Sequence, residues 1–215
     1  MGANTNAPRG FEPLELVTGK YRAHFYRITN NYGTALYQND PVAMVTAGTI
    51  ERATAGSSGV ILGTVVGFYK QDGAKTTRPE NLVPLESTTG QNYLAATLGT
   101  TYDYWALVAD DIDQIFLVQE DSDTTPLQYT HVAANCDHVA GTGSTVTGLS
   151  GAMLDSSSAN STATLQWRLI QPAWIWDIVA NQWNTVYDGS TLSNYTKWVV
   201  RCNMHQLAQR TAGLA

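Results

Sequence analysis

The sequence predicts an all-β fold, a compact β-barrel or β-sandwich with an extended N-terminal arm, long loops and at most short helices. Three observations carry that prediction. Charged residues make up only 14% of the chain while Thr, Ser, Asn, Gly and aromatic residues are plentiful. That mixture favours strands and turns, because β-branched and aromatic side chains fit a pleated surface and Gly and Asn supply turn conformations. Short apolar runs bounded by turn signals recur at about ten-residue spacing, as they do in sandwiches and barrels. No repeat of about 20 to 50 residues is visible, which removes solenoids and propellers. At 215 residues the chain is long enough to bury a core, and it divides into an arm over 1–20 and a single β-rich domain over 21–215.

Each element has a local reason. The first twenty residues, MGANTNAPRGFEPLELVTGK, carry two prolines and three glycines without a period, which predicts an extended arm that packs only in places and can order on a neighbour. YRAHFYRIT then alternates apolar and polar residues as a strand does, and Asn30-Asn31-Tyr32-Gly33 ends it. Pro41 opens a strand through Val45, Ala47-Gly48 turns it, and Thr49 to Ala53 returns. Gly56 to Gly59 makes a loop before the long apolar run from Val60 to Tyr69, and Asp72-Gly73 signals a tight hairpin. Residues 71–100, with Pro79 and Pro84, predict loop. Tyr104 to Ala109 and Ile115 to Glu120 are apolar enough for interior strands, and Asp110 to Gln114 joins them. From Asp121 to Ser161 the chain is rich in Ser, Thr, Gly and Asn and predicts long surface loops. Leu165 to Ile170 and Lys197 to Cys202 predict the last strands, and between their outer limits lie four of the six tryptophans, Trp167, Trp174, Trp176 and Trp183.

Charge bounds the partners. A formal charge of −6 with 12 scattered Lys and Arg leaves little to neutralise a phosphate backbone, so no nucleic-acid partner is expected. No stretch approaches the roughly 18 apolar residues that span a bilayer, and the N-terminus lacks a charged-then-apolar signal pattern, so no membrane partner and no export by that route are expected. Met1-Gly2 resembles a myristoylation start, but Asn6 stands where Ser or Thr is required. Asn160-Ser-Thr and Asn194-Tyr-Thr are formal glycosylation acceptors that matter only on a secreted chain. Cys136 and Cys202, the two cysteines, are expected as free, partly buried thiols.

Several constellations invite chemistry. Asp110, Asp111 and Asp113 offer hard oxygen ligands, yet no helix face or Gly-containing 12-residue loop surrounds them, and Asp is a good turn former. They are read as a solvated strand connection. His131, Cys136 and His138, with His205 or Cys202, contain borderline ligands without the paired spacing of structural zinc sites. Gly141-Thr-Gly143 with Gly148 lacks the lysine and helical continuation of a phosphate loop, and no nucleophile elbow is present. No catalytic residue, metal or cofactor is therefore expected. The tryptophans suit a core, an interface anchor or a sugar-stacking platform.

Taken in order, ANTNAPRGFEPL, NDPVAMVTAGTIERATAG with GVILGTVVGFY, YWALVADDIDQIFLVQED and KWVVRCNMHQLAQRTAGL resemble the capsid decoration, or cement, proteins of tailed bacteriophage heads. Their order and spacing carry the likeness, and the stretch from Trp167 to Trp183 and the loop from Gln71 to Thr100 fall outside it. The resemblance implies a non-enzymatic virion protein, made in the host cytoplasm, that sits on the outside of the head, binds the major capsid protein and stabilises the shell without a cofactor. It is expected to self-associate as a dimer or trimer. Phe11, Leu14, Trp174, Trp176 and Trp183 are the residues expected at capsid or oligomer interfaces. An acidic surface suits the outer face of a shell better than its DNA-filled interior. The alternative is a carbohydrate-binding or receptor-binding virion module using the Trp-rich region, and a hydrolase using one of the three aspartates is a third reading.

Overall fold

The computed structural model describes residues 5–14, 21–29, 32–56, 59–71, 82–85, 93–96, 103–123, 125–173, 192 and 194–208, together with the backbone of 175–177, 182–184, 187–188 and 191. Its strands in chain order are β1 (Glu12–Pro13), β2 (Ala23–Arg27), β3 (Leu36–Tyr37), β4 (Pro41–Met44), β5 (Ile50–Arg52), β6 (Gly63–Gln71), β7 (Leu82–Pro84), β8 (Tyr93–Leu94), β9 (Tyr104–Ala109) and β10 (Ile115–Gln119). Then follow β11 (Asn135–Cys136), β12 (His138–Val139), β13 (Met153–Leu154), β14 (Trp167–Pro172), β15 (Ile175–Asp177), β16 (Gln182–Asn184), β17 (Tyr187–Asp188), β18 (Thr191–Leu192) and β19 (Lys197–Cys202). The predicted all-β class is what the chain adopts, and among the described residues the helical turns are two three-residue stretches at Tyr129–His131 and Ser156–Ser158. Among the described residues no helix is long and apolar enough to cross a membrane.

Two antiparallel sheets carry the body. The five-stranded sheet runs β1-β10-β19-β14-β11. Period-2 alternation sends Phe116 and Val118 of β10, Trp198, Val200 and Cys202 of β19, and Trp167 and Leu169 of β14 to one buried face. A register shift between Leu169 and Gln171 interrupts the alternation and leaves Ile170 exposed. The six-stranded sheet runs β2-β9-β6-β4-β5 with β7 on β6. It curls until its edges meet at one parallel bridge, Ile28 to Ile50, with the Thr29 and Thr49 hydroxyls 2.6 Å apart beside it. Inside that curl lie Ile28, Leu36, Val42, Ile50, Val65, Phe68 and Val108. That isolated bridge does not continue into a ladder, and among the described residues no sheet closes into a barrel, so the architecture is sandwich-like. Ala109 and Val66, on the outer side of the curl, join the core of the five-stranded sheet and bind the two halves together.

Within the predicted arm, whose residues 1–4 and 15–20 lie outside the described residues, the geometry corrects the reading of Phe11. Phe11 is fully buried in the chain's own core and stacks on Trp167 with ring centroids 4.1 Å apart, so it is not free to anchor on a neighbour. Its N–H donates to the Asn39 carbonyl at 2.9 Å, and β1 pairs with β10. Leu14 is half-buried, its N–H donates to the Ile115 carbonyl, and its own carbonyl accepts from the Gln114 amide. Glu12 and Pro13 are thus an edge strand of the five-stranded sheet, with Phe11 and Leu14 tied down on either side. The chain can do this because Gly10 takes φ +72, a backbone state that disfavours any side chain.

The expected loop over 71–100 contains β7 and β8, while Asp72-Gly73 lies outside the described residues. The expected surface loops over 121–161 are more tightly held than their composition suggests: β11, β12 and β13 lie within them, and Cys136, His138 and Leu154 are buried. Cys136 and Cys202 are free thiols, as expected.

Candidate functional site

The Asp110–Asp113 turn joins β9 to β10, and its three carboxylates diverge. Asp110 is buried, and its carboxylate accepts the Tyr26 hydroxyl at 2.5 Å and faces His24 Nδ1 at 2.9 and 3.0 Å. Burial first, then the bond to Asp110, push the Tyr26 phenol above its ordinary pKa. Asp111 caps the turn by accepting the Asp113 N–H and lies 3.7 Å from Arg22. Asp113, largely exposed, lies 3.4 Å from Arg201. Only Asp113 matches a solvated connection; Asp110 is a buried tie between β2 and the turn. The carboxylate also orients the exposed His24 ring as a base is oriented in a hydrolytic triad. No hydroxyl or thiol bonds to His24 among the described residues, so the arrangement there is a dyad.

The His/Cys set does not converge either. Cys136 and Cys202 sit on strands flanking β14, each paired in register with Trp167. Burial raises both thiol pKa values. His131 Nδ1 accepts the Gln128 N–H at the helical turn. His138 is buried, its Nδ1 accepts from Trp167 Nε1 at 3.4 Å, and burial lowers its pKa to about 4, which keeps the imidazole neutral.

A carboxylate cluster does form elsewhere. Asp121, Asp123 and Asp155 each bring an oxygen within 4.8 Å of the others, the kind of donor set a hard divalent cation accepts. Local donors already use them: Asp121 accepts the Ser156 N–H at 3.0 Å, Asp123 the Ser156 hydroxyl at 3.1 Å, and Asp155 caps the turn through the N–H groups of Ser157 and Ser158. Beneath them Glu120 is fully buried with neutral donors alone, the Leu127 N–H, the Thr196 N–H and the Ser122 hydroxyl. Burial raises its pKa to about 7 against the pull of those donors. The run Glu120-Asp121-Ser122-Asp123 signalled acidity in the sequence, but nothing local signalled Asp155.

Of the tryptophans expected at an interface, Trp174 lies outside the described residues. Trp176 and Trp183 occupy directly opposed register positions of the β15–β16 ribbon. Trp167, by contrast, is core.

One further feature was not legible from local pattern. The extended segment before β1 leaves only a small crevice against the five-stranded sheet, lined by residues that include Ala7, Arg9, Glu12, Leu117 and Lys197. No protein-family model, no curated protein and no solved structure matches this chain.

Proposed function

We propose that this chain is a decoration protein of a tailed-phage head, binding the outer surface of the shell, bridging major capsid protein subunits and stabilising the lattice. The observation that carries the reading is the resemblance of four segments, in order, from the N-terminal ANTNAPRGFEPL to the C-terminal KWVVRCNMHQLAQRTAGL. The all-β body and the formal charge of −6 are compatible with it. Mechanically, a protein held by two sheets and long-range ties presents a fixed footprint, and a modest contact repeated around a closed lattice gains effective concentration from attachments already made. The reading assigns the chain no catalysis and no cofactor, self-association as a dimer or trimer, and a place on the capsid exterior. Leu14 and the Trp174–Trp183 region are its interface residues; Phe11 acts by holding the N-terminal segment in place. Co-sedimentation with undecorated heads, followed by heat or osmotic challenge, tests it. Binding at a lattice-set stoichiometry with a raised rupture temperature is the expected result, and no binding would remove the reading.

One observation favours a second reading, a glycan-binding virion module: Trp176 and Trp183 stand opposite each other in a two-stranded ribbon. Aromatic side chains are suited to partners that are apolar on one side and polar on the other. A glycan array probed with the wild type and Trp176→Ala separates the two. Signal lost in the variant supports this reading, and no signal from either protein counts against it.

A further inference from the structure

We propose that the outer edge of strand β2, Ala23–Arg27, is the surface through which the chain pairs with a second copy of itself, antiparallel about a two-fold axis at Phe25. The pairing supplies a surface for the self-association that the decoration reading assigns, rests on that reading only for its place on a shell, and is tested apart from it.

The strand is an open edge. β2 ends the six-stranded sheet with β9 alone beside it, in register from Ala23–Ala109 to Arg27–Trp105. At five residues it is the longest edge strand among the described residues; β1 and β11 have two, and β5 and β7 three. The bridge from Ile28 to Ile50 does not cover it, because that pairing is parallel and β5 begins at Ile50, so the residues before Ile28 run past the end of β5. His24 and Phe25, on opposite faces of the strand, are both exposed. The devices that blunt an edge are missing over this stretch: it holds no proline and no bulge, and its one fixed charge, Arg27, is committed to Asp103 at 2.9 Å.

What is left open is self-complementary. The Ile28 N–H donates to the Tyr104 carbonyl at 2.9 Å in the same register, so the even-numbered residues of β2 direct their backbone groups at β9. Ala23, Phe25 and Arg27 direct theirs away, and these positions are symmetric about Phe25. In an antiparallel pair centred there, Phe25 exchanges both backbone bonds with Phe25 of the second copy, and each Arg27 N–H meets the other copy's Ala23 carbonyl. Side chains match as well. On one face the two phenyl rings meet at the axis, and Arg27 stands opposite Ala23, which leaves the guanidinium room. On the other face His24 stands opposite Tyr26, and no charge is set against a like charge. Phe25 is 40% exposed and packs edge-on with Tyr69, centroids 4.9 Å and planes 89° apart, so the ring is steadied on one side and open on the other. The buried Asp110 holds Tyr26 through its hydroxyl and His24 through Nδ1. Side chains already held lose little freedom on pairing. An unrelated strand satisfies the backbone alone; a second copy also satisfies both side-chain rows.

The test is sedimentation equilibrium of the full-length chain over a concentration series, with thermal melts of every variant. Expected for the wild type is a monomer–dimer equilibrium. Phe25→Lys and Phe25→Asp, each placing like charges at the axis, should weaken it at least tenfold, and an equimolar mixture of the two should restore it. Rescue in the mixture shows position 25 facing its own copy; weakening without rescue overturns the axis. Should a charged variant unfold, Phe25→Ser decides, since it removes the ring without adding charge: a weaker dimer supports the edge and an unchanged one overturns it. A wild type that stays monomeric or forms trimers also overturns the pairing. Co-sedimentation with undecorated heads is read separately. Head binding by a chain that fails these tests leaves the decoration reading standing, and a dimer that depends on Phe25 but binds no heads supports the pairing and removes that reading. A monomeric wild type whose head binding is lost in Phe25→Lys overturns the second copy and gives the edge to a shell strand.

Discussion

Phe11 lies flat on Trp167, with centroids 4.1 Å and planes 18° apart, and Phe116 meets the same indole edge-on at 5.6 Å. A residue near the N-terminus therefore completes the central aromatic cluster of the five-stranded sheet. Phe11→Ala leaves a cavity that the surrounding strands cannot collapse and is expected to cost about 3–5 kcal/mol. Leu14→Ala, at a half-buried position, is expected to cost clearly less. Urea unfolding of both variants checks this, and equal losses would contradict the burial difference.

Gly10 is a second point of sensitivity. A Cβ there would lie 2.5 Å from the Asn39 carbonyl oxygen and 2.6 Å from Ser150 Cβ, at φ +72. Gly10→Ala is expected to destabilise by about 1–3 kcal/mol or more, from strain and clash together. Gly48→Ala shares the positive φ, +73, but meets nothing within 4 Å, and should lose only the backbone share. Thermal melts of the pair separate the two effects.

His138 sets an acid limit. Its unfolded value is near 6.5 and its folded value about 4, so as pH falls the unfolded chain takes the proton first. Its contribution is complete above about 6.5 and is lost as pH falls toward 4, on the order of 2–3 kcal/mol in all. Glu120 acts in the opposite sense, since a folded value near 7 against 4.5 unfolded gives stability that is complete below 4.5 and lost as pH rises through 7. Comparing His138→Gln with the wild type isolates the first effect. The variant's denaturation midpoint should fall less between pH 7 and pH 4.5, and parallel curves would refute the assignment.

The thiols offer a simple check of the fold. Cys136 and Cys202 are buried with raised pKa values and are separated in register by Trp167. An aromatic disulfide reagent at pH 8 is expected to react slowly or not at all with the native protein and to titrate both thiols after unfolding. Rapid reaction of either native thiol would show that strand β14 does not shield them.

Much of the fold was legible because alternation and burial coincide. The predicted spans Tyr104 to Ala109 and Lys197 to Cys202 match β9 and β19 residue for residue, since in both the inward positions are apolar and turn residues lie nearby. The Leu165 to Ile170 prediction slips two residues from β14, because Leu165 is buried before the strand starts and the register shift after Leu169 carries pairing on to Pro172. Phe11 was misread because proline and glycine around it report local freedom, while its fixing partners, Trp167 and Asn39, are distant in sequence. The aspartates were half legible: Asp111 and Asp113 behave as turn residues, but the burial of Asp110 depends on β2, which no local pattern places beside it.

That order also constrains how the chain is made. The strands of the six-stranded sheet all lie between Ala23 and Ala109, so this half can assemble while the ribosome is still at work on the remainder. The five-stranded sheet cannot, because β19, which follows all its partner strands in the chain, is its middle strand and separates β10 from β14. Until Lys197 to Cys202 emerges, β10 and β14 each present an unmated edge, and the aromatic cluster beneath them lacks Trp198. A nascent chain stalled before β19 is thus an aggregation hazard with half a folded body, and the emergence of β19 is the event that seals it.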